Sequence, residues 1–235
     1  MIGCGQTKIQ YFSHYYCLVP ILPAHGLETT DSLFSINKSA EELINLVEEK
    51  AGGKKIILIG FSLGAQIIIQ MLSMTPELID VSIINSASVK SMPLVSKFIK
   101  PTIALPFPLI KQRWFSKLQA KILYVGDDHF EKYYKESCQM KLETLVRVLK
   151  ESMSFSIPDN FKLATGKILV TVGEKENAII KRSAKDIIAA NSNCVGIFLP
   201  KVGHGAPLAI PEFFNQMIDE YIREEVFPRE CKVIV

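Results

Sequence analysis

Ile56-Ile57-Leu58-Ile59-Gly60-Phe61-Ser62-Leu63-Gly64 is the stretch whose reading decides the fold. Its first four residues are apolar without alternation, which fits a central strand of a parallel sheet, buried on both faces. Gly-x-Ser-x-Gly follows at once, and after Gly64 the run Ala65 to Met74 reads as a largely buried helix, with Pro76 behind its end. By composition alone such a match arises in roughly 8% of chains of this size, so the flanking strand and helix carry the weight. A serine at a sharp strand-to-helix turn is held in strained dihedrals with its Oγ directed out of the sheet edge. The helix N-terminus beside it favours a developing negative charge. Small residues at Gly60 and Gly64 let strand and helix approach closely. Ser62 is therefore the candidate nucleophile, and the Leu63 backbone N–H a candidate oxyanion donor. The plainer alternative is a capping serine at an ordinary turn.

Outward from this point the chain alternates. On the N-terminal side, Tyr16 to Leu22 is apolar and β-rich and enters the loop Pro23-Ala24-His25-Gly26, as a strand would. Ser39 to Lys50 predicts an amphipathic helix opened by a capping box of Ser39 and Glu42 and stopped by Gly52-Gly53. On the C-terminal side, Val81 to Asn85 predicts the next strand. Lys167 to Val172, Ile179 to Ala190, Val195 to Leu199 and Pro211 to Glu224 predict strand, helix, strand and closing helix. That order is an α/β pattern: a mostly parallel sheet with helices on both faces. Between the halves, Lys111 to Tyr124 and Glu131 to Glu151 have helical periodicity, and Pro101, Pro106 and Pro108 predict a poor helix and a hinge. The expected organisation is a core of residues 1–88 and 161–235, with a helical cap or lid inserted at 89–160.

A serine hydroxyl needs a base to take its proton. His204, in Val202-Gly203-His204-Gly205 just past the last strand, stands where the order Ser, acid, His places that base. His25 reads as structural or cavity-lining, and His14 and His129 as surface residues. The base in turn needs a carboxylate to fix its tautomer and stabilise its cation. Glu176, three residues after the turn glycine Gly173, is the first candidate. Glu174 is the near rival, with Asp127 and Asp80 as outside candidates.

These stretches together resemble the α/β-hydrolase superfamily, in particular its esterase and lipase-like members. Leu18 to Gly26 is similar to the family's strand-four segment, Ile56 to Gly64 to its nucleophile elbow, and Lys167 to Leu208 to its acid and histidine strands, with Pro207 closing Gly-His-x-x-Pro. The sequence departs from the family in front: only sixteen residues precede Cys17, so the family's first three strands are expected to be missing, and Met1 to Gly5 resembles only the tail of the loop that normally supplies one oxyanion N–H. The resemblance implies a serine hydrolase that cleaves carboxylic esters of small to medium apolar substrates through an acyl-enzyme. It implies the triad Ser62, Glu176 and His204, with Leu63 at the oxyanion and no metal or organic cofactor. An acyltransferase or C–C hydrolase would use the same triad, and a binding protein could keep the fold without turnover.

Composition bounds the remaining choices. Of 235 residues, 48% are hydrophobic and 22% charged, and the net charge of +3 is too small to point to nucleic acid. The five cysteines are odd in number and scattered, which argues against a disulfide framework or zinc site and for a reducing, cytoplasmic setting. Residues 90–121 hold seven Lys or Arg and no Asp or Glu, interleaved with aromatic and aliphatic residues. This basic, apolar cap either admits an apolar acyl group beneath helices with solvated outer faces, or makes peripheral contact with an anionic membrane.

Overall fold

A computed structural model describes residues 9–23, 25 and 34–235. The sheet has five strands in the order β1 (Ile57–Phe61), β2 (Val81–Asn85), β3 (Lys167–Gly173), β4 (Cys194–Leu199) and β5 (Lys232–Val233). The first four are parallel, and β5 pairs antiparallel to β4. The helices are α1 (Ile36–Ala51), α2 (Leu63–Met74), α3 (Pro93–Ala104), α4 (Arg113–Ile122), α5 (Asp127–Gln139), α6 (Leu142–Ser154), α7 (Ala178–Ala190), α8 (Ala206–Ala209) and α9 (Pro211–Glu224). Right-handed crossovers that always step one strand in the same direction put their helices on one face. Accordingly α1, α2 and α7 share one core with Ile168, Val170 and Val172 of β3. Their alternate neighbour Leu169 faces the other core, with Phe214, Met217 and Ile218 of α9. All parallel strands point their C-terminal ends toward one edge, where Ser62 follows β1.

The insertion between β2 and β3 contains α3 to α6 and no strand. Gln66 of α2 is buried and ties down both ends of this insertion. Its Nε2 donates to Ser88 O at 2.6 Å and Ser152 O at 2.9 Å, and its Oε1 accepts from Ser152 Oγ at 2.9 Å. The Ile36 N–H at the start of α1 donates to Glu151 Oε2 at 3.0 Å, so α6 caps α1 across the insertion.

Several expectations change. Tyr16 to Leu22 forms no strand: Tyr16, Leu18, Val19 and Ile21 are exposed, and Pro20 has no N–H to give to a ladder. Among the described residues β1 has a neighbouring strand on one side only. Ile59 is exposed and only Gly60 is fully buried. Helix α1 begins at Ile36, not Ser39, because the row Ile36, Ala40, Ile44 faces the core and takes Ser39 inside with it. The periodic stretch 131–151 is two helices, broken at the extended Met140 and Lys141. Pro101 sits inside α3, which ends at Ala104; Pro106 then caps a 3₁₀ turn at Phe107–Lys111 that contains Pro108. The two-residue β5 is too short to carry a sequence pattern.

Among the described residues no helix is long and apolar enough to cross a membrane. Cys17, Cys138, Cys194 and Cys231 are free thiols, and Cys4 lies outside the described residues.

Candidate active site

Ser62 ends β1 and caps α2 with φ 54° and ψ −111°, a conformation costly for a residue with a Cβ. Hydrogen bonds hold it there: its N–H donates to Asn85 O at 2.9 Å, and its carbonyl accepts from Ala65 and Gln66 N–H at 3.1 Å each. Gly60 makes the turn possible. A Cβ on it would stand 2.6 Å from Ile68 Cδ1 and 2.7 Å from the Gly64 carbonyl carbon and oxygen. Gly64 itself has open space where a Cβ would go. The close approach is therefore made by the absent side chain of Gly60 against the backbone of Gly64, and the two glycines are not equivalent.

The loops after β3 and β4 bring the other two groups to this point. Glu174 N–H donates to Leu199 O, and Lys175 N–H to Val202 O, both at 2.9 Å. Gly173 lets the loops touch, since a Cβ there would meet Val202 O and stand 2.6 Å from Gly203 O. Asn177 then caps α7, its side chain accepting from Ile179 and Ile180 N–H. Glu176, between this cap and the turn, points inward with its side chain only 2% exposed.

His204 Nδ1 lies 3.2 Å from each carboxylate oxygen of Glu176, and Nε2 lies 3.2 Å from Ser62 Oγ. An Nδ1–H donating to Glu176 leaves the Nε2 lone pair facing the Ser62 hydroxyl, the tautomer a general base requires. Phe61 packs on the imidazole, ring centroids 5.1 Å apart. Leu63 is the first residue of α2, and among the described residues no hydrogen bond occupies its N–H. That leaves one of the helix's initial donors available beside Ser62 Oγ.

The rival acids are engaged elsewhere. Glu174 accepts from Lys232 Nζ at 2.8 Å and Lys201 N–H at 3.0 Å, and the Lys232 ammonium in particular holds its carboxyl below the usual range. Asp80 accepts from Ile56 N–H at 2.7 Å, at the opposite end of the sheet from Ser62. Asp127 opens α5 on the surface. His25 is bound by its Nδ1 to Pro23 O at 2.9 Å and packs on Phe34, and burial lowers its pKa. His14 faces Asp219 at 3.7 Å.

One contact had no signal in the sequence. Tyr124, just beyond α4, takes φ 56° and lays its ring against Gly205, where any Cβ would collide with it. The insertion thereby touches the His204 loop directly. Among the described residues no cluster of metal-ligating side chains occurs. A surface depression of about 530 Å³, lined by Glu48, Thr75, Pro76, Glu77, Leu78 and Leu163, lies at the far end of α2. A 12-residue helix places it about 18 Å from Ser62, too far to serve the same reaction.

The sequence model of the alpha/beta hydrolase family matches residues 8–217. No curated protein matches the chain. Solved structures with the same fold include an esterase from Thermogutta terrifontis, at TM-score 0.73 and 14% identity over 94% of this chain and 85% of that one. MenH from S. aureus superposes at TM-score 0.73 and 16% identity over 94% and 89%. A lipase-esterase related protein from Clostridium acetobutylicum does so at TM-score 0.67 and 14% identity over 93% and 88%.

Proposed function

The chain belongs to the alpha/beta hydrolase family, and from that premise we propose that it is a serine hydrolase cleaving carboxylic esters of small to medium apolar acids. One observation carries the proposal: Glu176, His204 and Ser62 stand in a continuous hydrogen-bonded line, with each spacing 3.2 Å. Ser62 Oγ attacks the ester carbonyl carbon while its proton moves to His204 Nε2. Glu176, nearly excluded from water, stabilises the imidazolium that results. Leu63 N–H, at the positive end of α2, receives the tetrahedral oxyanion. Collapse returns the proton from Nε2 to the leaving alkoxide and leaves an acyl-serine. Water, deprotonated by the same Nε2, then releases the acid. Residues 89–160 act as a cap over this site, held to α2 through Gln66 and to the His204 loop through Tyr124.

Hydrolysis of p-nitrophenyl esters from acetate to decanoate tests the reading. Turnover is expected to be best for short and medium chains, and Ser62→Ala is expected to lower kcat by roughly 10³-fold or more. A folded Ser62→Ala protein with wild-type turnover would overturn it.

A further inference from the structure

Helix α4 is built inside out. A helix lying on a core buries its large apolar residues and exposes its polar ones. In α4 the buried residues are small, Ser116 and Ala120. The large apolar residues Trp114, Leu118 and Ile122 lie four apart along one ridge and are 62%, 52% and 67% exposed. Ser116 Oγ donates to Ile110 O at 2.6 Å, which fixes this rotation of the helix. Beside the apolar ridge, also in solvent, runs a basic one: Arg113, Lys117 and Lys121. Elsewhere in the insertion Leu105 is 87% and Phe98 67% exposed, and Lys100 and Lys111 are exposed as well.

Charge identifies the occupant. Arg113 is engaged by Glu131, but among the described residues no ion pair holds Lys100, Lys111, Lys117 or Lys121. A second copy of this chain would bring the same positive ridge against itself. A neutral apolar partner would leave the lysines without use. Long lysine stems beside a Trp/Leu/Ile ridge suit the boundary of a bilayer with acidic headgroups, where the ridge enters the acyl region and the ammonium groups reach the phosphates.

We propose that the exposed ridge Trp114–Leu118–Ile122 of α4, with the lysines flanking it, is a docking surface for an anionic membrane. Docking there brings the end of α4, and with it Tyr124, whose ring packs against Gly205 of the His204 loop, to the lipid surface. The proposal concerns binding and stands apart from the ester-hydrolase reading.

Trp114 is the only tryptophan, so the surface carries its own probe. With phosphatidylcholine vesicles containing 30 mol% phosphatidylserine, its emission is expected to shift to the blue and the full chain to sediment with the vesicles. Pure phosphatidylcholine vesicles are expected to do neither, and Ser62→Ala is expected to bind like wild type. Lys111→Gln/Lys117→Gln/Lys121→Gln removes three surface charges and is expected to weaken binding by roughly 100-fold. Leu118→Ser/Ile122→Ser keeps the charges and the probe and is expected to abolish the blue shift. Unchanged emission and sedimentation with the anionic vesicles, in protein whose circular dichroism is native, would overturn the proposal. So would binding that the lysine variant retains, or a dimer by analytical ultracentrifugation that already buries Trp114.

Discussion

Gly60→Ala and Gly64→Ala are the same substitution in the same pentapeptide, and their outcomes should be opposite. At Gly60 the added methyl would stand 2.6 Å from Ile68 Cδ1 and 2.7 Å from two backbone atoms of Gly64. Carbon atoms prefer about 3.5–4.0 Å, so strand and helix must part by about 1 Å. Ile68 can turn aside, but the Gly64 carbonyl belongs to the first turn of α2 and cannot. Overpacking of this kind costs about 1–3 kcal/mol. About 0.4–1 kcal/mol returns because alanine restricts the unfolded chain. Gly64→Ala meets nothing within 4 Å and stands inside α2. The gain there approaches about 1 kcal/mol in helix propensity. The two variants should thus differ by about 1–3.6 kcal/mol, read as a separation of about 2–14 °C in melting temperature for a domain of this size. The measurement is thermal or urea unfolding, paired with turnover. Because Ser62 lies two residues from Gly60, a shift of about 1 Å should also cost roughly 10²-fold in rate. Equal stability of the two variants, or a Gly60→Ala protein with unaltered activity, would refute the packing argument.

Other predictions follow from the loops and the cysteines. Glu176→Gln should lower kcat by about 10⁴-fold, because the amide no longer enforces the Nδ1–H tautomer or balances the imidazolium; Glu174→Gln, two residues away, should leave kcat unchanged. Steady-state kinetics on both variants decide between the two carboxylates. The Glu174 carboxyl titrates below its ordinary value in the folded chain because of Lys232 and the Lys201 N–H. Its contribution is therefore present above the unfolded pKa and disappears as pH falls through the folded one. Glu174→Gln should flatten the acid limb of the stability curve, and unfolding followed from neutral pH downward would show it. Burial pushes the Cys194 thiol up to about 12, so iodoacetamide at pH 8 should leave it unmodified in the folded protein and alkylate it after denaturation. Peptide mapping reads the result, and alkylation of the native protein would count against its placement in β4.

Much of the architecture was legible because the strong signals are local. Ile56 to Gly64 carries strand, turn and helix within nine residues, and Pro211 to Glu224 carries both its ends in its own sequence. The meeting of Ser62, Glu176 and His204 was anticipated from chain order, since parallel strands deliver the loops that follow them to one edge. The features that differ from the sequence expectation depend on distant partners. Tyr16 to Leu22 has the composition of a strand, but a ladder needs a neighbour with free donors and acceptors, and none is described beside it. For the same reason the apolar run of β1 does not reveal that, among the described residues, it is paired on one side only. Ser39 resembles a cap, yet the core chooses the residues that face it and draws the helix start back to Ile36. The αL backbone of Tyr124 has no pattern at all; only the bare Gly205 opposite explains it. The outward ridge of α4 was hidden because helical periodicity shows which residues share a face and leaves open which face is buried.

The most direct test of the account is labelling by a fluorophosphonate probe, with the modified residue located by mass spectrometry. The probe reacts with a serine whose hydroxyl is deprotonated by a neighbouring base and whose oxyanion is received. The relay predicts modification of the folded wild type at Ser62, loss of label in Ser62→Ala, and loss in His204→Ala although Ser62 is still present. A wild type that refuses the probe, or a His204→Ala protein that labels as fast as wild type, would contradict it.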